Sequence, residues 1–417
     1  MNFNFRKTTC VICVLLFSVC EYLRAESPIR PGDHVAIVGN TFADQLRIHG
    51  YLETLLLHRW PDNPVSIRNF GWGGDMLTAR DRPTNFPSEE STLKAHQTDV
   101  IVACFGMGES FAGDSGVETF RNDLKAFINS HEGKSFNGKT NVRLILVSPI
   151  AYEDLGELTP ARERRNDELA IYSQSMREVA AKANIPFVDL YQPMRYLMDE
   201  AIGPDFTTNG IHLNAYGYWA VSHLSYRDLV GDEQDTEMRP WQITIDASEN
   251  RVTARGVNAQ GIAVDPSGLT MRVTEQTSPT LPPPTDDPLP PQLNLQRDSM
   301  TVINLSPGNY ALTVDGKSVV TANHKQWATG VVVDSSPAHK EVEAFRKAVN
   351  DKNLQFTYSW KMLNQVHIVG ERKTSPSGKA LPREVIQFKQ LADERDKQLR
   401  QQVGRKTRQW KLSRVES

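Results

Sequence analysis

Five short apolar segments, separated by longer amphipathic ones, dominate the first half of the chain. The apolar segments are rich in Val, Ile and Leu and cover residues 34–39, 65–71, 99–106, 142–150 and 185–191. The stretches between them carry apolar residues at helical spacing. Buried strands that alternate with helices are typical of a parallel sheet covered on both faces. We therefore expect an α/β domain of three layers over residues 30–231.

The pattern changes after the polar stretch 231–240. Short segments such as WQITID, RVTARG, LTMRVTEQ and YALTVDG alternate apolar and polar residues. This alternation predicts a small antiparallel β domain over residues 240–333. The segment SPTLPPPTDDPLPPQ (278–292) interrupts it, and its prolines predict a stiff extended loop that forms no core.

The chain turns helical again from about residue 337. Residues 337–403 are rich in charged side chains, as helices with solvent-exposed faces are. We therefore expect a C-terminal helical segment. Residues 404–417, GRKTRQWKLSRVES, are rich in basic side chains and are predicted to form a frayed tail.

The N-terminus has the pattern of a secretory signal peptide. Arg6 and Lys7 precede an apolar run that extends to about Cys20, and the small Ala25 offers a cleavage point. We therefore predict a signal peptide over residues 1–25 and a secreted or periplasmic protein, with an uncleaved anchor as the alternative. No second apolar run is long enough to span a membrane, so none is expected after cleavage.

Composition and charge limit the classes of function that the sequence suggests. Hydrophobic residues make up 39% of the 417 residues, and 47 basic side chains balance 50 acidic ones for a net charge of -3. This balance gives no reason to expect nucleic-acid binding. Outside the predicted signal peptide the chain has one cysteine, Cys104, whose apolar context predicts a small core residue. No cluster has the spacing of metal ligands, so we expect neither a metal nor a cofactor.

Polar and glycine-rich blocks follow the predicted strands. They are Gly39-Asn40-Thr41, NFGWGGD (69–75), FGMGES (105–110) and TTNGIHLNAYGYWA (207–220). The carboxyl ends of parallel strands share one edge of a sheet, and open α/β sheets bind ligands there. We therefore expect these blocks to lie together.

In this order the blocks resemble those of the SGNH (GDSL-type) hydrolase family, over roughly residues 34–230. The resemblance implies a flavodoxin-like parallel sheet and hydrolysis of small esters or acylated carbohydrates. It places Thr41 at the nucleophile position, Gly74 at the glycine of the oxyanion hole and His212 at the position of the general base.

Three positions depart from the family pattern. Thr41 stands where the family has serine, and its hydroxyl either attacks the ester or caps the helix that begins near Phe42. Gly108 replaces an asparagine that would supply a further oxyanion donor. Asn209 replaces an aspartate; its amide oxygen can accept the ring N–H of His212, but it cannot stabilise an imidazolium as a carboxylate does.

Two more side chains are candidates for substrate contact. Glu109 either lines the pocket or caps the next segment. Trp72 either stacks on a sugar ring or packs inside the protein. Asp205 is either a substitute for the aspartate that would orient His212 or an ordinary loop residue.

Two functions agree with these residues. The first is an exported esterase in which Thr41 attacks, His212 takes the proton, Asn209 orients the ring and Gly74 helps to hold the oxyanion. The alternative is a non-catalytic protein on the same fold that binds a glycan or a protein. The substitutions at the three positions favour the alternative, whereas the retained Gly74 and His212 favour the enzyme.

Overall fold

The computed structural model describes residues 27–200, 202–231, 240–265, 267–276, 278–364 and 368–415. The predicted signal peptide lies outside the described residues. Within these ranges, no helix has the length and apolar character that a membrane crossing requires.

The first domain is built on a sheet of five parallel strands in the order β2-β1-β3-β4-β5. The strands are β1 (His34–Gly39), β2 (Ser66–Asn69), β3 (Val100–Cys104), β4 (Arg143–Val147) and β5 (Phe187–Val188). The helices are α1 (Thr41–His49), α2 (Tyr51–Leu57), α3 (Glu89–His96), α4 (Val117–His131), α5 (Arg162–Lys182), α6 (Tyr191–Glu200) and α7 (Ala215–Val230). The predicted flavodoxin-like parallel sheet is confirmed.

Alternate residues of the central strands face two separate cores. Val35 and Ile37 of β1 pack in one core with helices α1, α2 and α7. Ala36 and Val38 pack in the other, with α4 and α5. Cys104 is fully buried, and burial raises the pKa of its thiol to about 12, so it serves as an inert core residue, as predicted.

The second part of the chain forms two further sheets, in the orders β13-β10-β6-β7 and β12-β11-β14-β9-β8, where β14 is Thr407–Val415. Its elements up to residue 332 are β6 (Gln242–Asp246), β7 (Arg251–Arg255), β8 (Val257–Asp265), β9 (Gly268–Glu275), α8 (Pro291–Asn294), β10 (Ser299–Ile303), β11 (Asn309–Val314), β12 (Lys317–Asn323), α9 (His324–Thr329) and β13 (Val331–Val332). The five-stranded sheet is antiparallel throughout, whereas β6 and β10 pair in parallel.

The C-terminal region consists of α10 (Pro337–Trp360), α11 (Pro376–Ala380), α12 (Pro382–Gln402) and β14 (Thr407–Val415). Strand β14 pairs with β9 on one side and with β11 on the other, and it buries Trp410 and Leu412. The prediction of a frayed tail is therefore wrong. The alternation of Arg408, Trp410 and Leu412 with exposed residues is a strand pattern that the basic composition concealed.

Helices α10 and α12 pack against the first domain beside β2, and they bury charges there. Lys352 of α10 is fully buried, forms an ion pair with Glu53 of α2, and donates to the Ile67 carbonyl oxygen at 2.9 Å. Arg68 of β2 donates to Asp396 of α12 at 3.1 Å. The prediction of solvated faces is wrong at these positions, because charges of opposite sign on the first domain compensate them.

The start of the proline-rich segment is also buried. The Leu281 carbonyl oxygen accepts the indole N–H of Trp219 at 2.8 Å, and Leu281 joins the core that contains α7. The prediction that this segment forms no core therefore fails at Leu281, whereas Pro284 and residues 286–288 are exposed, as expected of a loop.

One buried carboxyl group makes stability depend on pH. Burial raises the pKa of Glu275, at the end of β9, from 4.5 to about 7. The folded state therefore binds the proton of the Glu275 carboxyl group more tightly than the unfolded state does. The stability that the neutral carboxyl group contributes is lost as the pH rises through 7.

We expect Glu275→Gln to unfold less readily than the wild type at pH 8, by about 3 kcal/mol, because the amide carries no charge to desolvate. The difference should vanish below about pH 4.5. Urea unfolding of both proteins at pH 4 and pH 8 measures it, and equal differences at the two pH values would contradict the expectation.

Candidate active site

The turn between β1 and α1 presents Thr41. Gly39 has a φ of +132°, and a Cβ there would lie 2.1 Å from the Cys104 carbonyl oxygen, so the turn requires glycine. The Asn40 side chain caps α1 by accepting the N–H of Phe42 at 3.0 Å. The suggestion that the Thr41 hydroxyl caps this helix is therefore wrong, because Asn40 does so.

The Thr41 hydroxyl contacts the predicted oxyanion glycine. Gly74 adopts a left-handed conformation, with a φ of +84°, and its N–H donates to Thr41 Oγ1 at 3.2 Å. The N–H of Thr41 itself lies in the first turn of α1, where helices leave N–H groups without intrahelical partners. The N–H groups of Thr41 and Gly74 thus both lie beside the predicted nucleophile, where they can act together as oxyanion donors.

His212 lies in a short turn that leads into α7. Thr207 and Leu213 form an isolated bridge, and the His212 carbonyl oxygen accepts the N–H of Thr208 at 2.9 Å. Asn214 then caps α7 by accepting the N–H of Gly217 at 3.0 Å. The turn fixes the backbone of His212 and leaves its side chain exposed at the edge of the sheet.

A buried carboxylate that the sequence reasoning missed holds this turn in place. Glu153 accepts the N–H groups of Phe206 and Thr207 at 2.8 and 2.7 Å, and the Thr207 hydroxyl at 2.5 Å. Burial raises its pKa, although these hydrogen bonds oppose the shift. The sequence does contain a signal for Glu153. This residue follows the apolar run of β4, and that run ends at the edge of the sheet where the site lies.

Thr41 and His212 line one cavity of about 160 Å³, and Gly74 and Gly108 line it with them. Its apolar wall consists of Phe42, Cys104, Phe105, Met107, Phe111, Pro149, Ile150 and Ile211. In the described part of the chain, no hydrogen bond joins the Thr41 hydroxyl to the His212 ring. The structure therefore brings nucleophile and base positions to one cavity without a formed pair.

Asn209 is oriented opposite to the expectation. Its amide oxygen accepts the backbone N–H of His212 at 2.9 Å, which leaves its NH₂ group 2.9 Å from His212 Nδ1. The backbone N–H settles which amide atom is which, because the NH₂ group cannot accept it. Nδ1 then accepts from this NH₂ group, so the neutral ring carries its proton on Nε2. In this tautomer Nε2 has no lone pair that could take the proton of Thr41. The expectation that the amide oxygen accepts the ring N–H is wrong.

Asp205 does not replace the missing aspartate. Its backbone carbonyl oxygen accepts from the Asn214 side chain at 2.7 Å. Among the described residues, no hydrogen bond joins its carboxylate to His212. Within the part of the chain that the structure describes, the hydrogen-bond partner of the His212 ring is Asn209.

At Gly108, a methionine fills the space of the missing side chain. A Cβ on Gly108 would lie 2.9 Å from Met76 Cγ. An asparagine amide at this position would require Met76 to move, so the site offers no third donor here.

Glu109 and Trp72 both lie outside the cavity lining, against the prediction that they contact substrate. The Glu109 carboxylate accepts the N–H groups of Leu77 and Gly106, each at 2.9 Å, and burial raises its pKa. The Trp72 ring packs at 5.6 Å from the Trp360 ring, with the Arg82 guanidinium at 4.5 Å and the Lys361 ammonium at 4.7 Å. Trp72 therefore serves packing, which was its alternative, whereas Glu109 holds two backbone N–H groups and neither contacts the cavity nor caps the next segment through them. The described residues contain no group of three or more His, Cys, Asp or Glu that could hold a metal ion.

Comparisons with known proteins agree with this architecture. Solved structures of the same fold include BT4096, a gut microbial diltiazem-metabolizing enzyme, with 16% identity, a TM-score of 0.67, and coverage of 94% of this chain and 100% of that chain. A second similar solved structure is a catalytic mutant of Axe2, an acetylxylan esterase from Geobacillus stearothermophilus, with 17% identity, a TM-score of 0.39, and coverage of 49% of this chain and 97% of that chain.

No curated protein matches the sequence significantly. Residues 32–220 match the family model described as GDSL-like lipase/acylhydrolase. They span the parallel sheet, Thr41, Gly74 and His212, so residues 32–220 of this chain form a GDSL-like lipase/acylhydrolase domain.

Proposed function

We propose that the protein is an exported hydrolase of small esters, with acylated carbohydrates among its substrates, and that Thr41 is its nucleophile. One observation carries the proposal: Thr41 and His212 line the same cavity, and the Gly74 N–H lies 3.2 Å from Thr41 Oγ1. An oxygen nucleophile, a ring nitrogen and an oxyanion donor are the parts that acyl transfer needs. Export rests on the signal-peptide pattern of residues 1–25.

In this mechanism Thr41 Oγ1 attacks the ester carbonyl carbon, and its proton passes to His212 Nε2. The N–H groups of Thr41 and Gly74 hold the resulting oxyanion. The bond to the alcohol then breaks, the alcohol leaves with the proton from His212, and water hydrolyses the acyl-threonine ester by the same route. The small apolar cavity accommodates a short acyl chain.

The first step requires the ring tautomer with its proton on Nδ1. The Asn209 NH₂ group, 2.9 Å from Nδ1, favours the other tautomer. Turning the amide would place its NH₂ group against the backbone N–H of His212, so the reactive arrangement is disfavoured. We therefore expect a slow esterase.

The orientation of Asn209 also favours a second candidate, a non-catalytic protein that binds a glycan or a protein at the same edge of the sheet. A ring locked with its proton on Nε2 donates a hydrogen bond to a ligand and does not act as a base.

Hydrolysis of 4-nitrophenyl acetate by the mature chain separates the two candidates. If the site is an esterase, Thr41→Val and His212→Ala should each lower kcat/KM by about 10²-fold, because each removes one partner of the proton transfer. Thr78→Val is the matched control, since Thr78 is an exposed threonine outside the cavity lining, and it should retain activity. Equal background rates in all four proteins would reject the esterase and favour the binding protein.

A further inference from the structure

Phe111 is a large apolar side chain that is exposed beside the proposed catalytic residues. It belongs to the short 3₁₀ turn Glu109–Ala112 that follows β3, and it lines the cavity of Thr41 and His212. Phe111 is 63% exposed. Among the exposed large apolar residues in the described part of the chain, it is the one that lines this cavity. An apolar ring that faces both a cavity and solvent offers a surface that a ligand can cover.

The Phe111 ring is held from one side by a guanidinium group. Arg165 lies over the ring, with its guanidinium carbon 4.0 Å from the ring centre. It donates to Ser110 Oγ at 2.9 Å and forms an ion pair with Glu168, and only 11% of its side chain is exposed. Because the guanidinium covers one face, the exposed surface of the ring lies on its other face and its edge. A side chain that is already ordered loses little conformational entropy when a ligand packs on it.

The cavity has a buried end and an open end. Its buried lining includes Cys104, Phe105 and Ile150. We name the partly or largely exposed apolar residues of the lining the cavity mouth: Phe42, Met107, Phe111 and Ile211. The volume of about 160 Å³ holds a short acyl group. In the proposed esterase mechanism, on which this step rests, the alcohol part of the ester therefore extends past the cavity mouth.

Polar side chains of the lining do not reach the cavity mouth, apart from the proposed catalytic pair. Among the described lining residues, the other polar side chains are Asn40, Asp75 and Ser148, and all three are buried. Asp75 accepts two hydrogen bonds from Arg82, at 2.9 and 2.7 Å, and the Ser148 hydroxyl donates to the Pro149 carbonyl oxygen at 2.9 Å. A sugar requires polar partners for its hydroxyl groups, whereas an aromatic ring requires an apolar surface. The cavity mouth therefore fits an aromatic ring better than a sugar.

We infer that Phe111 is a specificity-determining residue that selects esters of aromatic alcohols. The acyl group occupies the cavity, the ester carbonyl carbon lies at Thr41 Oγ1, and the aromatic ring of the alcohol packs on the open face of Phe111. The other residues of the cavity mouth complete the apolar surface around it. Two aromatic rings attract each other more strongly than their buried area alone predicts, so the site discriminates against saturated rings and sugars.

The test is binding of three amides that carry the same acetyl group and resist hydrolysis. Acetanilide, N-cyclohexylacetamide and N-acetylglucosamine present an aromatic ring, a saturated apolar ring and a sugar ring to the full mature chain. Their Kd values are measured by saturation-transfer NMR titration. Acetanilide should bind more tightly than N-cyclohexylacetamide by about threefold to tenfold, because ring stacking adds to apolar burial. N-acetylglucosamine should bind most weakly.

Phe111→Ala and Phe111→Leu should each remove the preference for acetanilide, because Leu keeps an apolar side chain without a ring. Leu158→Ala is the matched control, since Leu158 is 71% exposed and lies outside the cavity lining, and it should retain the preference. Near-ultraviolet circular dichroism checks that each variant is folded. Three outcomes would overturn the inference: acetanilide shows no preference in the wild type, the preference survives in Phe111→Ala, or N-acetylglucosamine binds as tightly as acetanilide.

Hydrolysis of phenyl acetate and cyclohexyl acetate by the same proteins separates this inference from the proposed function. Turnover of both esters without a preference for acetanilide would reject the role of Phe111 and leave the esterase standing. A preference for acetanilide that depends on Phe111, without turnover of either ester, would reject the esterase and support Phe111 as the residue that binds an aromatic ring at the cavity mouth.

Discussion

Replacing Asn209 with aspartate should raise kcat/KM for 4-nitrophenyl acetate by about 10²–10⁴-fold. In a serine protease, exchanging the corresponding aspartate for asparagine lowers the rate by about 10⁴ because the histidine adopts the wrong tautomer. The unproductive tautomer is also favoured here, since the Asn209 NH₂ group lies 2.9 Å from His212 Nδ1. A carboxylate oxygen at that position would accept the Nδ1 proton and leave Nε2 free to take the proton of Thr41.

Measured pH profiles of kcat/KM make this prediction specific. The gain should be present at alkaline pH, because the two proteins then differ only in the tautomer of the neutral ring. Asn209→Ala is the control, because it removes the NH₂ group without supplying an acceptor, and it should gain far less. An Asn209→Asp protein that folds normally and remains as slow as the wild type would show that the ring tautomer does not limit the rate of hydrolysis.

Replacing Glu53 with glutamine should lower the free energy of unfolding by about 3–5 kcal/mol, because it leaves the charge of Lys352 buried without a counter-charge. Lys352 is fully buried, and burial already lowers its pKa. Glu53 also accepts the side-chain amide of Asn353 at 2.8 Å, so the substitution disturbs two contacts between α2 and α10. Urea unfolding followed by circular dichroism measures the loss.

Two further variants identify the cause. Glu53→Met combined with Lys352→Met removes both charges and should recover most of the lost stability. Glu90→Gln, which breaks exposed ion pairs with Lys94 and Lys134, should leave the unfolding midpoint nearly unchanged. If Glu53→Gln unfolds at the same urea concentration as the wild type, the buried pair does not hold α10 to the first domain.

The parallel sheet was predictable because its strands are continuous runs of Val, Ile and Leu, which few other structures accommodate. The meeting of Thr41, Gly74 and His212 was predictable for the same reason, since parallel strands bring their carboxyl ends to one edge. Strand β14 was missed because its two large apolar residues are set among basic ones, and only pairing with β9 and β11 turns that alternation into a buried face.

The details that decide the chemistry were not accessible to sequence reasoning. An amide side chain has a donor and an acceptor end, and which end of Asn209 faces His212 depends on the folded backbone of the turn. Met76 fills the space beside Gly108, and Glu153 anchors the turn of His212, through contacts between segments far apart in the chain. The position of Glu153 after β4 indicates the edge of the sheet, but no local pattern identifies the partners in such contacts.

The position of β14 imposes an order on folding during synthesis. Without residues 407–415, the five-stranded sheet consists of two separate hairpins, β8–β9 and β11–β12, because β14 alone joins them. A nascent chain emerges from the ribosome with its N-terminal domain first. The parallel-sheet domain can therefore assemble while the second sheet is still open, and a product that terminates before residue 407 would expose two unpaired strand edges, a surface prone to aggregation.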